Sequence, residues 1–418
     1  MYAIKHQPTW LRISLSILLL SMLLVSAIAG WLGMKMQKAK SQRNAVQTIG
    51  RLGGDVLFDW QERKQQGPPG PALLLRLLGG DFFQEVVSVT FWDAVAVQDA
   101  GLASDGPKDD DLQVIQALPG LRELSLLGCN VTDAGLKHLH GLRNLRKLSI
   151  DCCPINGCGL EHIKDLSGLR SVNLRGTKVS DDGVAHLRGL RWLEWLDLSG
   201  TKVTDVGLER LEGLTRLHEL RLAVTHITDA GLARLSPLHR LQRLLLDDTR
   251  VTDVGLGRLA ELRQIKHLGL KGTQITDAGL EHLKALGQLR ELDLSQTRIT
   301  DHGLAHLKDL RQLEWLRLTH TEITDAGLEH LERLSQLESL SLQECKITSA
   351  GLKRLMGLSR LRSLFLRGTK VTDAGLESLG RLSQLETLDL TGTEVTQEAV
   401  VRLKKVLPKC VVCYDAVR

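Results

Sequence analysis

The chain has 418 residues, a net charge of +5, 43% hydrophobic residues and only 3% aromatics. So small a charge for this length gives no case for nucleic-acid binding, which needs basic residues concentrated on one face. Leucine must fill the core, and seven cysteines, an odd number in a long chain, argue against a disulfide framework.

After a short tail, residues 1–12, comes an uncharged run of 22 residues from Ile13 to Met34. A helix rising about 1.5 Å per residue over that length matches a hydrocarbon core ~30 Å thick. Trp10 and Trp31 stand near its ends, where amphipathic rings favour the interface. Arg12 precedes it, and Lys35, Lys38, Lys40 and Arg43 follow as candidate headgroup contacts. The pattern predicts a single-pass transmembrane helix or signal anchor. Ala27-Ile28-Ala29 has the form of a signal cleavage site, so a secreted or periplasmic product is the alternative. The basic cluster soon after Gly30 opposes export of a cleaved product. Charge bias favours a cytoplasmic bulk and an N-terminal signal anchor the reverse, so the side of the bilayer stays open.

Residues 35–96 read as juxtamembrane linker and N-terminal cap. They hold four of the five phenylalanines, Phe58, Phe82, Phe83 and Phe91, with Trp60 and Trp92. "DVLFDW" and "VVSVTF" are strand-like, and "PALLLRLLGG" is a short helix after the "GPPGP" turn.

From residue 97 to 409 the chain repeats. A branched residue precedes a Thr-Asp-x-Gly-Leu-like motif at Val131, Ile155, Val179, Val203, Ile227, Val251, Ile275, Ile299, Ile323, Ile347, Val371 and Val395, always 24 residues apart. A thirteenth copy, "VQDAGL" at Val97–Leu102, is set off by the insertion "ASDGPKDDD". In "LEWLRLTHTEITDAGLEHLERLSQ" (Leu313–Gln336) the alternation at Leu316 and Leu318 is strand-like, while Leu328, Leu331 and Leu334 mark a helical stripe. No unit can bury its leucines alone; stacked, the units share one core. Thr324 and Asp325 stand where a helix begins and can cap its N–H groups; the glycine after them permits close backbone approach. At the far end Gln397 and Ala399 replace the motif's Asp and Gly, and residues 410–418 form a closing cap strand.

The pattern L-x-x-L-x-L-x-x-(T/C)-x-(I/V)-T-D-x-G-L resembles the leucine-rich repeat family. It is most similar to the cysteine-containing type of ubiquitin-ligase substrate receptors and of arrays on membrane-anchored bacterial proteins. The resemblance implies an α/β solenoid, a curved horseshoe-like arc with parallel strands on the concave face and short helices on the convex face. It implies no activity, because every matching residue is structural. No F-box-like segment is evident before the array, so a ligase role does not carry over. The slot often filled by asparagine holds Thr177, Thr201, Thr225, Thr249, Thr273, Thr297, Thr321, Thr369 and Thr393, or Cys129, Cys153 and Cys345. These are expected to bond to the turn of the next unit, forming a ladder.

No phosphate loop, nucleophile elbow or H-E-x-x-H motif is present, so no enzyme and no cofactor are expected. Cys410 and Cys413 lack the second pair that zinc requires and read as small buried hydrophobes. Cys152, Cys153 and Cys158 cluster, but Cys153 belongs to the ladder slot. His138, His162, His186, His282, His306 and His330 share a column with Arg210, Arg234, Arg258 and Arg354. A solvated convex edge explains them better than a metal site.

Specificity must then reside in strand residues that the core does not dictate. Tryptophan and arginine, the types enriched at binding hot spots, mark Trp195, Arg221, Arg243, Leu245, His267, Trp315 and Arg317 as a candidate protein-binding surface. Leu245 and Phe365 are expected to be exposed. The leading function is a membrane-anchored, non-enzymatic protein-interaction scaffold. The alternatives are a structural envelope component built by self-association, and recognition of a glycan or anionic polymer.

Overall fold

The computed structural model describes residues 9–65, 67–92 and 106–415, with side chains from residue 17 onward. The copy at Val97–Leu102 and most of the 1–12 tail lie outside these residues. Helix α1 (Thr9–Arg51) is 43 residues long and does not stop at Met34. From Ile17 to Trp31 it is exposed, and it is long and apolar enough to cross a membrane. Residues 35–51 were expected to begin a linker. They continue the helix instead, because Gln42, Ala45 and Ile49 are buried against the cap. There the Gln42 amide donates to Gln84 O (3.0 Å) and accepts from Val86 N (3.2 Å).

The cap consists of β1 (Gly54–Phe58), a single helical turn α2 (Asp59–Glu62), α3 (Ala72–Leu78) and β2 (Val86–Phe91). β1 and β2 pair antiparallel, Val56 opposite Val89. β2 then pairs parallel with β3 (Glu123–Leu127), so the cap and the array share one sheet. The sheet continues in chain order through β4 (Lys147–Asp151), β5 (Ser171–Asn173), β6 (Trp195–Asp197), β7 (Glu219–Arg221), β8 (Arg243–Leu245), β9 (His267–Gly269) and β10 (Glu291–Asp293). It ends with β11 (Trp315–Arg317), β12 (Ser339–Ser341), β13 (Ser363–Phe365), β14 (Thr387–Asp389) and β15 (Val411–Cys413). Each later pair is parallel with partners 24 residues apart, as in Leu220 opposite Leu244. Returning segments are short stretches of α or 3-10 helix, the longest being Gln397–Val406. Parallel strands stack about 4.8 Å apart, closer than helices pack, so the strands line the inner side of the arc.

The leucines form a continuous buried column from Leu124 to Leu403. The polar bonds between units differ from the expected ladder. Each threonine in the Thr/Cys slot donates inside its own turn, as Thr225 Oγ1 does to Leu222 O (2.6 Å). A hydroxyl on a short side chain reaches the carbonyl three residues back before it reaches a neighbouring unit. Among the described residues the slot reaches a neighbouring unit where cysteine fills it, from Cys153 Sγ to Leu126 O (3.5 Å) and from Cys345 Sγ to Leu318 O (3.0 Å), with Thr321 Oγ1 3.4 Å from Cys345 Sγ.

The ladder that does run between units belongs to the aspartate of Thr-Asp-x-Gly. Asp205 accepts from Thr228 N (2.9 Å) and Thr228 Oγ1 (2.6 Å) in the next unit. Asp229 holds Thr252, Asp253 holds Thr276, Asp277 holds Thr300 and Asp301 holds Thr324 in the same way. Except at Thr276, the threonine so held accepts from the N–H two residues on, as Thr324 does from Ala326 (3.3 Å). It therefore caps its own helical turn. The glycine is explained by the same bond. A Cβ at Gly279 would stand 2.3 Å from Asp253 Oδ1, so the approach it permits is to a carboxylate of the preceding unit.

Candidate functional site

The strand register assembles the sequence-derived surface residues into two adjacent columns. Trp195, Glu219, Arg243, His267, Glu291 and Trp315 succeed one another across β6 to β11. Beside them run Asp197, Arg221, Leu245, Gly269, Asp293 and Arg317. All seven candidates thus share one patch on the inner face.

Within it the arginines are already engaged. Arg221 Nε contacts Glu219 Oε1 at 2.6 Å, and its guanidinium lies 5.1 Å from the Trp195 ring centre. Arg243 bridges Glu291 (3.2 Å) and Glu219 (3.9 Å). His267 Nδ1 sits 2.8 Å from Glu291 Oε2 but off the line of a hydrogen bond. Arg317 reaches Asp293 at 3.7 Å and lies 6.0 Å from Trp315. These pairs hold long side chains in fixed rotamers, which lowers the entropy lost when a partner docks. Trp315 is the most open apolar member at 42% exposed; Trp195 is half-buried.

Leu245 and Phe365 prove half-buried rather than exposed. Leu245 leans over the gap at Gly269, where an added Cβ would meet Leu245 Cδ2 at 3.0 Å and Asp247 Oδ2 at 2.7 Å. Asp247, which pattern reading missed, fills the other side of that gap and accepts from Lys271 N (3.0 Å). Its carboxyl pKa is raised, chiefly by burial and further by the nearby Asp293 and Asp248 charges. A carboxyl with a raised folded-state pKa adds stability below its unfolded pKa and loses it as pH rises through the folded value. Asp247→Asn keeps an acceptor for Lys271 N and removes the charge. Its melting temperature should therefore exceed that of the wild type at pH 7, and the gap should close towards pH 3. A lower melting temperature at pH 7 would contradict this.

Residues 245–413 match a family model for a leucine-rich repeat region, and residues 189–211 a second model for a leucine-rich repeat. An internalin (inlF) of Listeria monocytogenes strain 4b F2365 is similar in structure, with TM-score 0.52 at 25% identity over 70% of this chain and 91% of that one. A leucine-rich repeat protein of Leptospira interrogans gives TM-score 0.53 at 22% identity over 72% and 80%. The fold is a leucine-rich repeat solenoid. No curated protein sequence matches the chain.

The remaining candidates occupy other faces of the leucine-rich repeat array. The histidine column is solvated or half-buried except at its start. His138 is buried at 9% exposure, and burial, with Lys137, lowers its pKa. It lies beside the insertion, where Asp109 packs against the unit through Thr132 (2.7 Å) and covers the edge. Cys410 is buried, but Cys413 is exposed, because Val411, Val412 and Cys413 alternate sides along β15. Among the described residues no group of three or more His, Cys, Asp or Glu side chains is placed to hold a metal ion.

A groove of about 710 Å³ opens on the edge of the leucine-rich repeat array, lined by Arg188, Arg191, Arg210, Arg216, Glu209 and Glu212. Arg234 takes the two glutamates (3.7 and 3.8 Å). The four lining arginines make no ion pair among the described residues, and Arg216 stacks 3.7 Å from the centre of the exposed Trp192 ring.

Proposed function

We propose that the protein is a membrane-anchored, non-enzymatic scaffold that presents the inner face of its repeats to a protein partner. The observation that carries this reading is the unbroken patch from Trp195 to Trp315. It combines two aromatic anchors with a salt-bridged, pre-ordered rim across six strands. The likeness to repeat proteins of bacteria supports the architecture, and the long exposed apolar helix supports the anchor. The arginines of the inner face are neutralised by carboxylates, which favours a mixed protein surface over a polyanion there.

A second reading rests on the edge groove, whose four arginines make no ion pair among the described residues and suit an anionic polymer or glycan. Capture of ligands from native membranes by the full chain separates the two. Loss of capture with Trp315→Ala, and its persistence with Arg188→Ala/Arg191→Ala at raised salt, is the expected result. The reverse pattern, with binding abolished by moderate salt, would move recognition to the groove.

A further inference from the structure

Helix α3, "ALLLRLL", has five leucines and buries none of them. Leu73 and Leu77 are 69% and 71% exposed, and Leu74 is exposed beside them. An apolar surface this dense on a short helix is not stable facing water and marks a contact.

Its position says with what. The segment after α3 carries Phe82, whose ring lies 6.4 Å from Trp31, 4.9 Å from Phe83 and 5.9 Å from Lys35 Nζ. Both ends of α3 lie close to this block: a Cβ added at Gly70 would stand 3.1 Å from the Phe83 ring, and one at Gly79 3.2 Å from the Arg43 guanidinium. The block is in turn clamped to α1 by the Arg43–Asp81 pair and, at 2.6 Å, by Lys38–Glu85. Trp31 and Lys35 bracket the end of the apolar run. α3 is therefore held beside α1 where that run gives way to charge. Lys35, Lys40 and Arg76 carry no carboxylate partner among the described residues, leaving them free for phosphate headgroups.

We propose that α3 is a second membrane contact, lying in the lipid interface with Leu73, Leu74 and Leu77 among the upper acyl chains and Arg76 at headgroup level. Short amphipathic helices bind bilayers in this way, apolar face down at the headgroup boundary. The inference rests on reading α1 as a membrane span. A span alone lets the array pivot about one helix; two contacts on one rigid block fix its tilt, and so the direction in which the inner face looks.

The test uses the full chain in vesicles of phosphatidylcholine and phosphatidylglycerol that contain a lipid with a diazirine high on its acyl chain. After irradiation, adducts are mapped by peptide mass spectrometry. Adducts on residues 72–78 as well as 17–34 are expected. Leu73→Ser/Leu77→Ser should reduce those on 72–78 at least fivefold and leave 17–34 unchanged. Adducts confined to 17–34 would overturn the proposal with the span intact, whether α3 then faces water or a second copy of the chain. Adducts on neither segment would overturn the span and the inference together.

Discussion

Gly279→Ala should break the array at its middle. The residue is helical, with no positive φ, so alanine suits its backbone and would by propensity alone add about 1 kcal/mol. The new methyl would lie 2.3 Å from Asp253 Oδ1. The carboxylate must leave, and with it the bonds from Thr276 N (2.8 Å) and Oγ1 (2.6 Å). Hydrogen bonds to a charged group contribute roughly 1.5–3 kcal/mol each, so the net loss after the propensity gain is about 2–5 kcal/mol. In a one-dimensional stack the loss falls on one interface, and the two halves should begin to melt apart. Thermal unfolding should start several degrees lower and broaden or split. Gly375→Ala is the matched control. The preceding unit there has Ser349 in place of Asp, and the added Cβ would meet Ser349 Oγ at 3.0 Å and a flexible Leu352 methyl at 2.9 Å. Its loss should be clearly smaller. Equal losses would mean that the glycine serves the helix and not the carboxylate.

The second large effect is on recognition. Trp315 is 42% exposed, its neighbours across the strands are Glu291 and Ser339, and Arg317 leans towards its ring. Little core depends on it, so Trp315→Ala should shift the melting temperature by no more than about 2 °C, an effect under ~1 kcal/mol. A tryptophan that acts as an interface hot spot typically contributes 2 kcal/mol or more, so partner affinity should fall about thirtyfold. Unchanged affinity would remove Trp315 from the binding surface. A large fall in melting temperature would show that the ring serves to cover the neighbouring strands.

The repeat and its strand register were legible because period, leucine spacing and strand alternation are properties of the chain itself. The 24-residue step places Trp195 and Trp315 in one column without reference to coordinates. Contacts that join one unit to the next were less so. Aspartate at a helix start usually caps its own helix, and only the stacking distance reveals that Asp253 reaches Thr276 instead. The threonine slot failed for the opposite reason: a bond within the turn was available and shorter. The pairing of Arg221 with Glu219 and of Arg243 with Glu291 follows from register and could have been read from it. Asp247 could not, because its burial depends on the missing side chain at Gly269. The continuation of α1 to Arg51 was masked by charge: the lysines that end the apolar run do not end the helix, and Lys38 finds Glu85 47 positions away.

Placing a photo-crosslinking amino acid at position 315 in the full chain, in its native membrane, addresses the inner face most directly. Position 254 on the helical side, where Val254 is 63% exposed, provides the comparison. Covalent adducts to a different protein at 315 and none at 254 are expected. Equal labelling at both positions, or adducts at 315 only to further copies of this chain, would contradict a partner-presenting surface.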